Sequence, residues 1–205
     1  MPALFHIESS PAGDGSASIR LGRMLVDRWQ DLHPERQTAS LNLWARELPD
    51  LAGPALAARA EVEAGRTPSG DAAVAWSRLQ ELASGLVSAE RLLISTPMWN
   101  FGLPYRLKHY IDCVTQPTLT YEGSPRTGFQ GLLAGKPAAL VLARGGSYPD
   151  GSERGALDFQ SRYLEAWLRF LGFGPVTTIR VEPTTLDPEA VLRGEAQVLE
   201  LADRF

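Results

Sequence analysis

The feature that most limits the fold of this chain is a pair of short segments, RLLIS and AALVLA, that are apolar at nearly every position. Strands buried on both faces show this pattern, because both of their faces pack against other elements. Five segments are candidate strands of this kind or its weaker variants. They are Ala3–Ile7, Leu41–Leu43, Leu92–Ile94, Ala138–Leu142 and Val176–Val181.

Segments with helical periodicity separate these strands. Apolar residues recur at helical spacing from Ile19 to Leu32, from Leu103 to Val114 and from Leu157 to Leu171, and a last helix is expected after Pro188. Strands and helices in alternation indicate right-handed βαβ units. The sequence therefore predicts one α/β domain over residues 1–205, a three-layer sandwich around a five-stranded parallel sheet.

Composition narrows the class of partner and the compartment. The formal net charge is −4, which argues against nucleic acid or an anionic membrane as the main partner. The only cysteine, Cys113, excludes an internal disulfide and fits a reducing compartment. The start of the chain lacks the basic region and apolar run of a signal peptide, so a cytoplasmic location is expected.

One segment, Thr115–Lys136, has little periodic pattern and is long for a connection inside a compact domain. Loops of that length are usually functional or cover something. A shorter stretch, Ala64–Asp71, is the best linker and is expected to separate two helices within one connection.

In doubly wound sheets, ligands bind outside the carboxyl ends of the strands, so the loops after the strands are the candidate sites. The first is SSPAGDGSAS, in which Ser10, Ser16 and Ser18 surround the start of a helix. It lacks the lysine of a Walker loop and the third glycine of a dinucleotide fingerprint. Two interpretations stay open: an N-capping loop that satisfies only the helix, or a cradle for a terminal monophosphate.

The second loop, PMWNFGLP, places large apolar side chains at the end of a buried strand. Trp99 and Met98 could cover a flat ring while Asn100 or a backbone amide meets its polar edge, although capping of the core is the alternative. In the third loop, Gly145 and Gly146 allow the backbone to approach a ligand closely, and Arg144 could lie near a ring edge that becomes negative on reduction. Jointly the three loops describe a site for flavin mononucleotide (FMN).

The order of these motifs, SSPAGDGSAS, PMWNFGLPYRLKHYID and GLLAGKPAALVLARGG, resembles the FMN-dependent NADH:quinone oxidoreductases, also called azoreductases. The resemblance implies a flavodoxin-like fold with strand order 2-1-3-4-5. It also implies a set of cofactor-binding positions for non-covalently bound FMN. These are Ser10, Ser16, Ala17, Ser18, Met98, Trp99, Asn100, Phe101, Ala143, Arg144, Gly145 and Gly146. Trp99 stands where the family usually has tyrosine, and Ala143 where it often has serine.

The resemblance further implies a ping-pong reaction. NADH or NADPH gives up hydride and leaves, and a quinone or an aromatic azo compound then takes its place. It implies a homodimer whose second subunit helps to wall the pocket, and the candidate wall is the Thr115–Lys136 segment with Tyr121 and Phe129.

Flavin chemistry requires few acid–base side chains, because the cofactor carries the reactive centre. The three histidines, His6, His33 and His109, form neither a triad nor a metal cluster with ligand spacing, so no catalytic side chain and no metal are expected. Cys113 is expected to be a buried, inert thiol. Three other functions stay open: a non-catalytic FMN electron carrier, a dinucleotide-binding dehydrogenase, and an α/β scaffold without a cofactor.

Overall fold

A computed structural model describes residues 1–205, and its centre is a five-stranded parallel sheet. The strands are β1 (Leu4–Glu8), β2 (Thr38–Asn42), β3 (Arg91–Pro97), β4 (Tyr121–Ser124), β5 (Gly128–Gly131), β6 (Ala138–Ala143) and β7 (Val176–Val181). The sheet order is β2-β1-β3-β6-β7, with every neighbouring pair parallel. The predicted order 2-1-3-4-5 is confirmed, because β4 and β5 lie outside this sheet and its five strands follow that order.

Helices cover both faces of the sheet. They are α1 (Ala17–Leu32), α2 (Pro54–Glu63), α3 (Gly70–Ser88), α4 (Tyr105–Val114), α5 (Glu153–Ala156), α6 (Phe159–Leu171) and α7 (Glu189–Ala202). Alternate residues of the central strands face opposite sides, so Leu93 and Val141 pack with α1 and α7. Leu92, Ile94 and Leu140 pack on the other side with α3, α4 and α6.

Helix α1 approaches the sheet closely at Gly22. A Cβ atom there would lie 1.9 Å from Ser95 Oγ on β3, so only glycine permits this packing distance. Ser95 Oγ in turn lies 2.8 Å from His6 Nε2 on β1. The close approach fixes where the amino end of α1 lies relative to the ends of β1 and β3.

Two expectations need correction. The Thr115–Lys136 segment is not a loop without structure, because β4 and β5 form an antiparallel hairpin in it. Glycines at three of its eight strand positions hide the alternation that normally marks strands. Leu157 does not belong to the stripe of α6; it ends the short helix α5 and is exposed.

Strand β2 also begins earlier than predicted, at Thr38 rather than Leu41. The linker at residues 64–71 separates α2 from α3 as predicted, and Gly172, with φ 96°, ends α6 in the left-handed conformation that glycine favours. None of the helices combines the length and the apolar character that a membrane crossing requires.

Candidate functional site

The three candidate loops emerge at one edge of the sheet because β1, β3 and β6 run parallel. Backbone hydrogen bonds tie the loops together where the strands end. The Ser9 N–H donates to the Ser95 carbonyl at 3.0 Å, and the Met98 N–H donates to the Ala143 carbonyl at 2.9 Å. The loops therefore lie at the carboxyl ends of the central strands, where the strand order reverses. This is the usual ligand position in doubly wound folds.

The first loop leaves donors without protein partners at the start of α1. Ser16 occupies the N-cap position, but its hydroxyl makes no capping bond and lies instead 3.1 Å from Ser18 Oγ. The first helical bond is donated by the Arg20 N–H to the Ser16 carbonyl at 3.0 Å, and the N–H groups of residues 17–19 have no protein acceptor. This geometry does not support the N-capping interpretation. Free N–H groups at a helix start bind anions.

Hydroxyls complete this cradle. Ser10, Ser16 and Ser18 are all buried, and Ala17 is half-buried between them. Ser10 Oγ accepts a 3.4 Å bond from the Ala12 N–H, which keeps its own O–H available to a ligand. The donor set fits a phosphate monoester, whose oxygens are acceptors.

A charged cluster lies beside the cradle. Arg23 of α1 donates to both carboxylate oxygens of Glu8, at 2.7 and 2.8 Å, and also to Asp14. Burial alone would raise the pKa of Glu8, but the hydrogen bonds and the positive charge of Arg23 outweigh it, so the pKa is lowered. Burial, the largest cause, lowers the pKa of His6 to about 4, so His6 is neutral at neutral pH.

The second loop contains a tight turn over residues 99–102. The Trp99 and Gly102 backbones exchange hydrogen bonds of 3.1 and 2.9 Å, and Asn100 and Phe101 have φ angles of 46° and 67°. Asparagine tolerates this left-handed conformation, but phenylalanine does not, and such strain costs roughly 1–3 kcal/mol per residue. The turn holds the Phe101 side chain 46% exposed at the sheet edge. Strain of this kind concentrates at functional sites.

Trp44, which follows β2, also belongs to this edge and was not predicted. Its indole N–H donates to the Ser9 carbonyl at 3.0 Å, and its ring lies 5.9 Å from that of Trp99 and 5.3 Å from that of Tyr105. One side chain therefore links the phosphate cradle to the aromatic turn. The sequence did carry a signal: Trp44 stands just beyond a strand, as Trp99 does, and the rule for strand-end loops applies to β2 as well.

The third loop differs from the expectation for Arg144. Its guanidinium is buried and donates to Gln160 Oε1 at 3.0 Å and Glu182 Oε2 at 3.1 Å, while its Nη2 lies 2.9 Å from Asp158 Oδ2. The side chain therefore points into an internal ion-pair network, and only the backbone of Arg144 lies along the sheet edge. A buried guanidinium needs such partners because an unpaired charge there is very unfavourable.

The glycines of this loop permit close packing within the protein. A Cβ atom on Gly145 would lie 2.9 Å from Thr185 Oγ1, and one on Gly146 would lie 3.3 Å from the Arg154 guanidinium. Ala143, the last residue of β6, is buried. The two glycines thus leave a flat backbone edge beside the aromatic turn.

Cys113 and His109 support the scaffold rather than the site. The Cys113 thiol and His109 Nε2 lie 3.3 and 2.8 Å from the same Pro49 carbonyl. Burial, the main cause, and the nearby carboxylates raise the pKa of Cys113 to about 12, so the thiol stays protonated and unreactive.

The residues present fit FMN. Free N–H groups and hydroxyls match a phosphate, and the aromatic turn and the backbone edge match a flat ring with a polar rim. Comparison with known proteins gives the same class. Residues 3–204 match the family model described as a flavodoxin-like fold, and the chain belongs to that family.

Two relatives show which group within the flavodoxin-like family this chain is similar to. An FMN-dependent NADH:quinone oxidoreductase of Desulfotalea psychrophila is 40% identical, over 91% of this chain and 88% of its own length. A Pseudomonas fluorescens relative, named FMN-dependent NADH:quinone oxidoreductase 3, is 38% identical over 92% of this chain and 88% of its own. The crystal structure of an FMN-dependent NADH-azoreductase of Bacillus anthracis in complex with FMN superimposes with a TM-score of 0.89 at 25% identity, covering 100% of this chain and 99% of that chain. The chain is a member of the FMN-dependent NADH:quinone oxidoreductases.

Proposed function

We propose that this protein is an FMN-dependent oxidoreductase that passes two electrons from NADH or NADPH to quinones by a ping-pong mechanism. The observation that carries the proposal is the set of free N–H groups and buried hydroxyls at the start of α1, beside the strained aromatic turn. A phosphate site and a ring site within one sheet edge match the two ends of FMN.

The binding roles follow from the donors and surfaces at each position. Ser10, Ser16 and Ser18, with the N–H groups at Ala17 and its neighbours, hold the phosphate. Met98, Trp99, Asn100 and Phe101 cover the ring, and the backbone of residues 143–146 lies along its polar edge.

Bound FMN supplies the ability to accept and return a hydride equivalent. The protein holds the ring flat and leaves one face open to planar partners. Overall, NADH, a proton and a quinone yield NAD⁺ and a hydroquinone. We extend the proposal to aromatic azo compounds, because one open pocket admits any planar acceptor; two NADH and two protons then convert one azo bond into two amines.

We propose a homodimer, because the hairpin of β4 and β5 lies too far from the aromatic turn of its own chain to wall the ring site there. The Phe159 N–H donates to the Phe101 carbonyl at 3.1 Å, so α6 begins at the aromatic turn. Gly131 of the hairpin packs against Leu171, where α6 ends. The 13 residues of α6 span about 20 Å.

The hairpin carries an aromatic cluster suited to a wall. The Tyr121 ring lies 5.8 Å from Phe129 and 5.3 Å from Phe170, and Arg59 donates to the Tyr121 hydroxyl at 3.2 Å. Phe129 is 51% exposed and its ring lies 6.1 Å from that of the 39% exposed Phe170, so the two form an apolar patch on the surface. We propose that this cluster walls the pocket above the open face of the flavin in the second subunit.

Stopped-flow spectroscopy tests the main proposal. Protein reconstituted with FMN and freed of excess cofactor should be yellow, should bleach rapidly on mixing with NADH, and should regain its colour in proportion to added quinone. A colourless protein would show that the cofactor assignment is wrong. A yellow protein that NADH alone does not bleach would indicate the electron carrier instead.

The wall is tested by shortening the hairpin between Thr120 and Gly131, or by Phe129→Ser. Either change should alter the relative rates with several quinones. Leu192→Ser, at an exposed apolar position of α7, is the matched control and should leave them unchanged. Identical kinetics in all variants would remove the proposed wall.

A further inference from the structure

Two carboxylates flank the phosphate cradle, and by themselves they would repel a phosphate. Glu8 ends β1, two residues before Ser10, and Asp14 lies in the short 3₁₀ turn at Gly13–Gly15, two residues before Ser16. Both side chains are carboxylates, and FMN carries a phosphate with nearly two negative charges. Some compensation for these charges is required.

Arg23 supplies it from the second turn of α1. The guanidinium makes a bidentate pair with the buried Glu8 carboxylate and reaches the 85% exposed Asp14 with its remaining nitrogen. The hydrogen bonds that Arg23 donates to Glu8 are the largest cause that raises the pKa of Arg23, so its positive charge persists at neutral pH. One side chain thus joins the strand end, the 3₁₀ turn and the helix that form the three sides of the cradle.

The other titratable group in contact with Glu8 adds no compensation. His6 Nδ1 lies 3.7 Å from Glu8 Oε1, but burial keeps this imidazole neutral. With Arg23 in place the cluster carries one net negative charge, and without Arg23 it would carry two.

We propose that Arg23 is the positioning and charge-compensating residue that makes the cradle accept a phosphate. This inference rests on the proposed FMN site. It assigns Arg23 a role in affinity for the phosphate end of the cofactor alone, because the guanidinium acts through Glu8 and Asp14 and has no reason to affect the ring.

The test compares dissociation constants for FMN and riboflavin, which share the ring and differ in the phosphate. Arg23→Met should weaken FMN binding about tenfold and leave riboflavin binding unchanged, since one screened charge near the surface has an effect of this order. Arg28→Met is the matched control: Arg28 lies on the same helix, pairs with Asp203 at 2.8 Å, and has a side chain 42% exposed against 43% for Arg23. It should change neither constant.

Asp14→Asn gives an independent arm, because it alters an exposed side chain and should not disturb folding. It should tighten FMN binding roughly twofold to threefold at low salt, without affecting riboflavin, and the gain should vanish as salt screens the charge. Arg23→Lys should restore most of the affinity lost in Arg23→Met.

Several outcomes would overturn the inference. Equal losses for FMN and riboflavin in Arg23→Met would indicate a merely structural role, and so would an unchanged FMN constant in both Arg23→Met and Asp14→Asn. If the unmodified protein binds no FMN, the proposed function fails first; if it binds FMN and NADH bleaches it while Arg23→Met behaves like Arg28→Met, only this inference fails.

Discussion

The loops after β1 and β6 lie at the same sheet edge but treat their polar groups in opposite ways. The loop after β1 leaves N–H groups without partners beside Ser16 and bonds the hydroxyls there only within the loop, whereas the loop after β6 binds Arg144 to Asp158, Glu182 and Gln160 within the protein. Donors without partners indicate a ligand, while paired charges stabilise the scaffold. The difference distinguishes residues that bind a ligand from residues that stabilise the surrounding scaffold.

The strongest test of the comparison is Arg144→Met. Removing the guanidinium leaves the half-buried Glu182 without a cation and the buried Asp158 with only Arg180, 3.9 Å away, so the free energy of unfolding should fall by roughly 3 kcal/mol. Burial raises the pKa of Asp158, but bonds from Ser161 and Arg144 outweigh it and lower that pKa. Urea denaturation measures the loss. Arg154→Met, which removes a nearby guanidinium without a carboxylate partner, should lower stability far less, and equal effects would contradict the assignment.

The second test concerns His6, the neutral group beneath the cradle. Its pKa is lowered from 6.5 to about 4, so between these values the unfolded chain binds more protons than the folded protein. Stability should therefore rise with pH in this window, and it should fall by about 2 kcal/mol from about pH 7 to about pH 5. Urea denaturation of the cofactor-free protein measures this change.

Most of the stabilisation from Glu8 and Asp158, whose pKa values are lowered, is lost at still lower pH, so the window isolates His6. Direct NMR titration of the His6 ring provides the control. A His6 that takes up its proton above pH 6 would contradict the prediction.

A third test uses the strained turn. Phe101→Gly removes the side chain that disfavours φ 67°, so the cofactor-free protein should be about 1 kcal/mol more stable. Affinity for FMN should nevertheless fall, because the ring contact is lost. Leu103→Ala, just beyond the turn, is the control without relief of strain. A loss of stability in Phe101→Gly would show that the phenyl ring supports the fold.

The prediction with the smallest expected effect compares two serines at the starts of helices. The Ser152 hydroxyl accepts a 2.9 Å bond from the Gly155 N–H, so Ser152→Ala should lower stability by about 1 kcal/mol. Ser16 makes no such bond, so Ser16→Ala should change the stability of the cofactor-free protein by less than about 0.5 kcal/mol while weakening FMN binding. A full capping loss at Ser16 would revive the capping interpretation of the first loop.

Much of the fold follows from local pattern. The apolar runs at β3 and β6 predicted buried parallel strands, and β7 was placed with its observed bounds, Val176–Val181. Strand β2 was placed poorly because it is an edge strand with polar residues, and only Leu41 and Asn42 of the observed strand were included. The hairpin was missed because glycines at three of its eight strand positions interrupt the alternation of side chains.

The candidate site, like the fold, could be predicted from the sequence only in part. Ser16, Trp99 and Gly145 were placed at the same end of the sheet because each follows a strand, and their roles toward a cofactor stay predictions from residue type. Trp44 was missed and the Arg144 side chain was misplaced, because their orientation depends on partners far along the chain, Ser9 and Trp99 for one and Asp158 and Glu182 for the other.

The sequence by itself determined the layered α/β architecture and the loops that follow its strands, because these depend on periodicity and on the short-range geometry of strands and helices. The order of the strands was an expectation from the resemblance to a known family. Tertiary structure decided which polar groups remain free. Whether a serine caps its own helix or an arginine faces a ligand depends on which groups the folded chain brings within hydrogen-bond distance, and those groups lie tens of residues away in sequence.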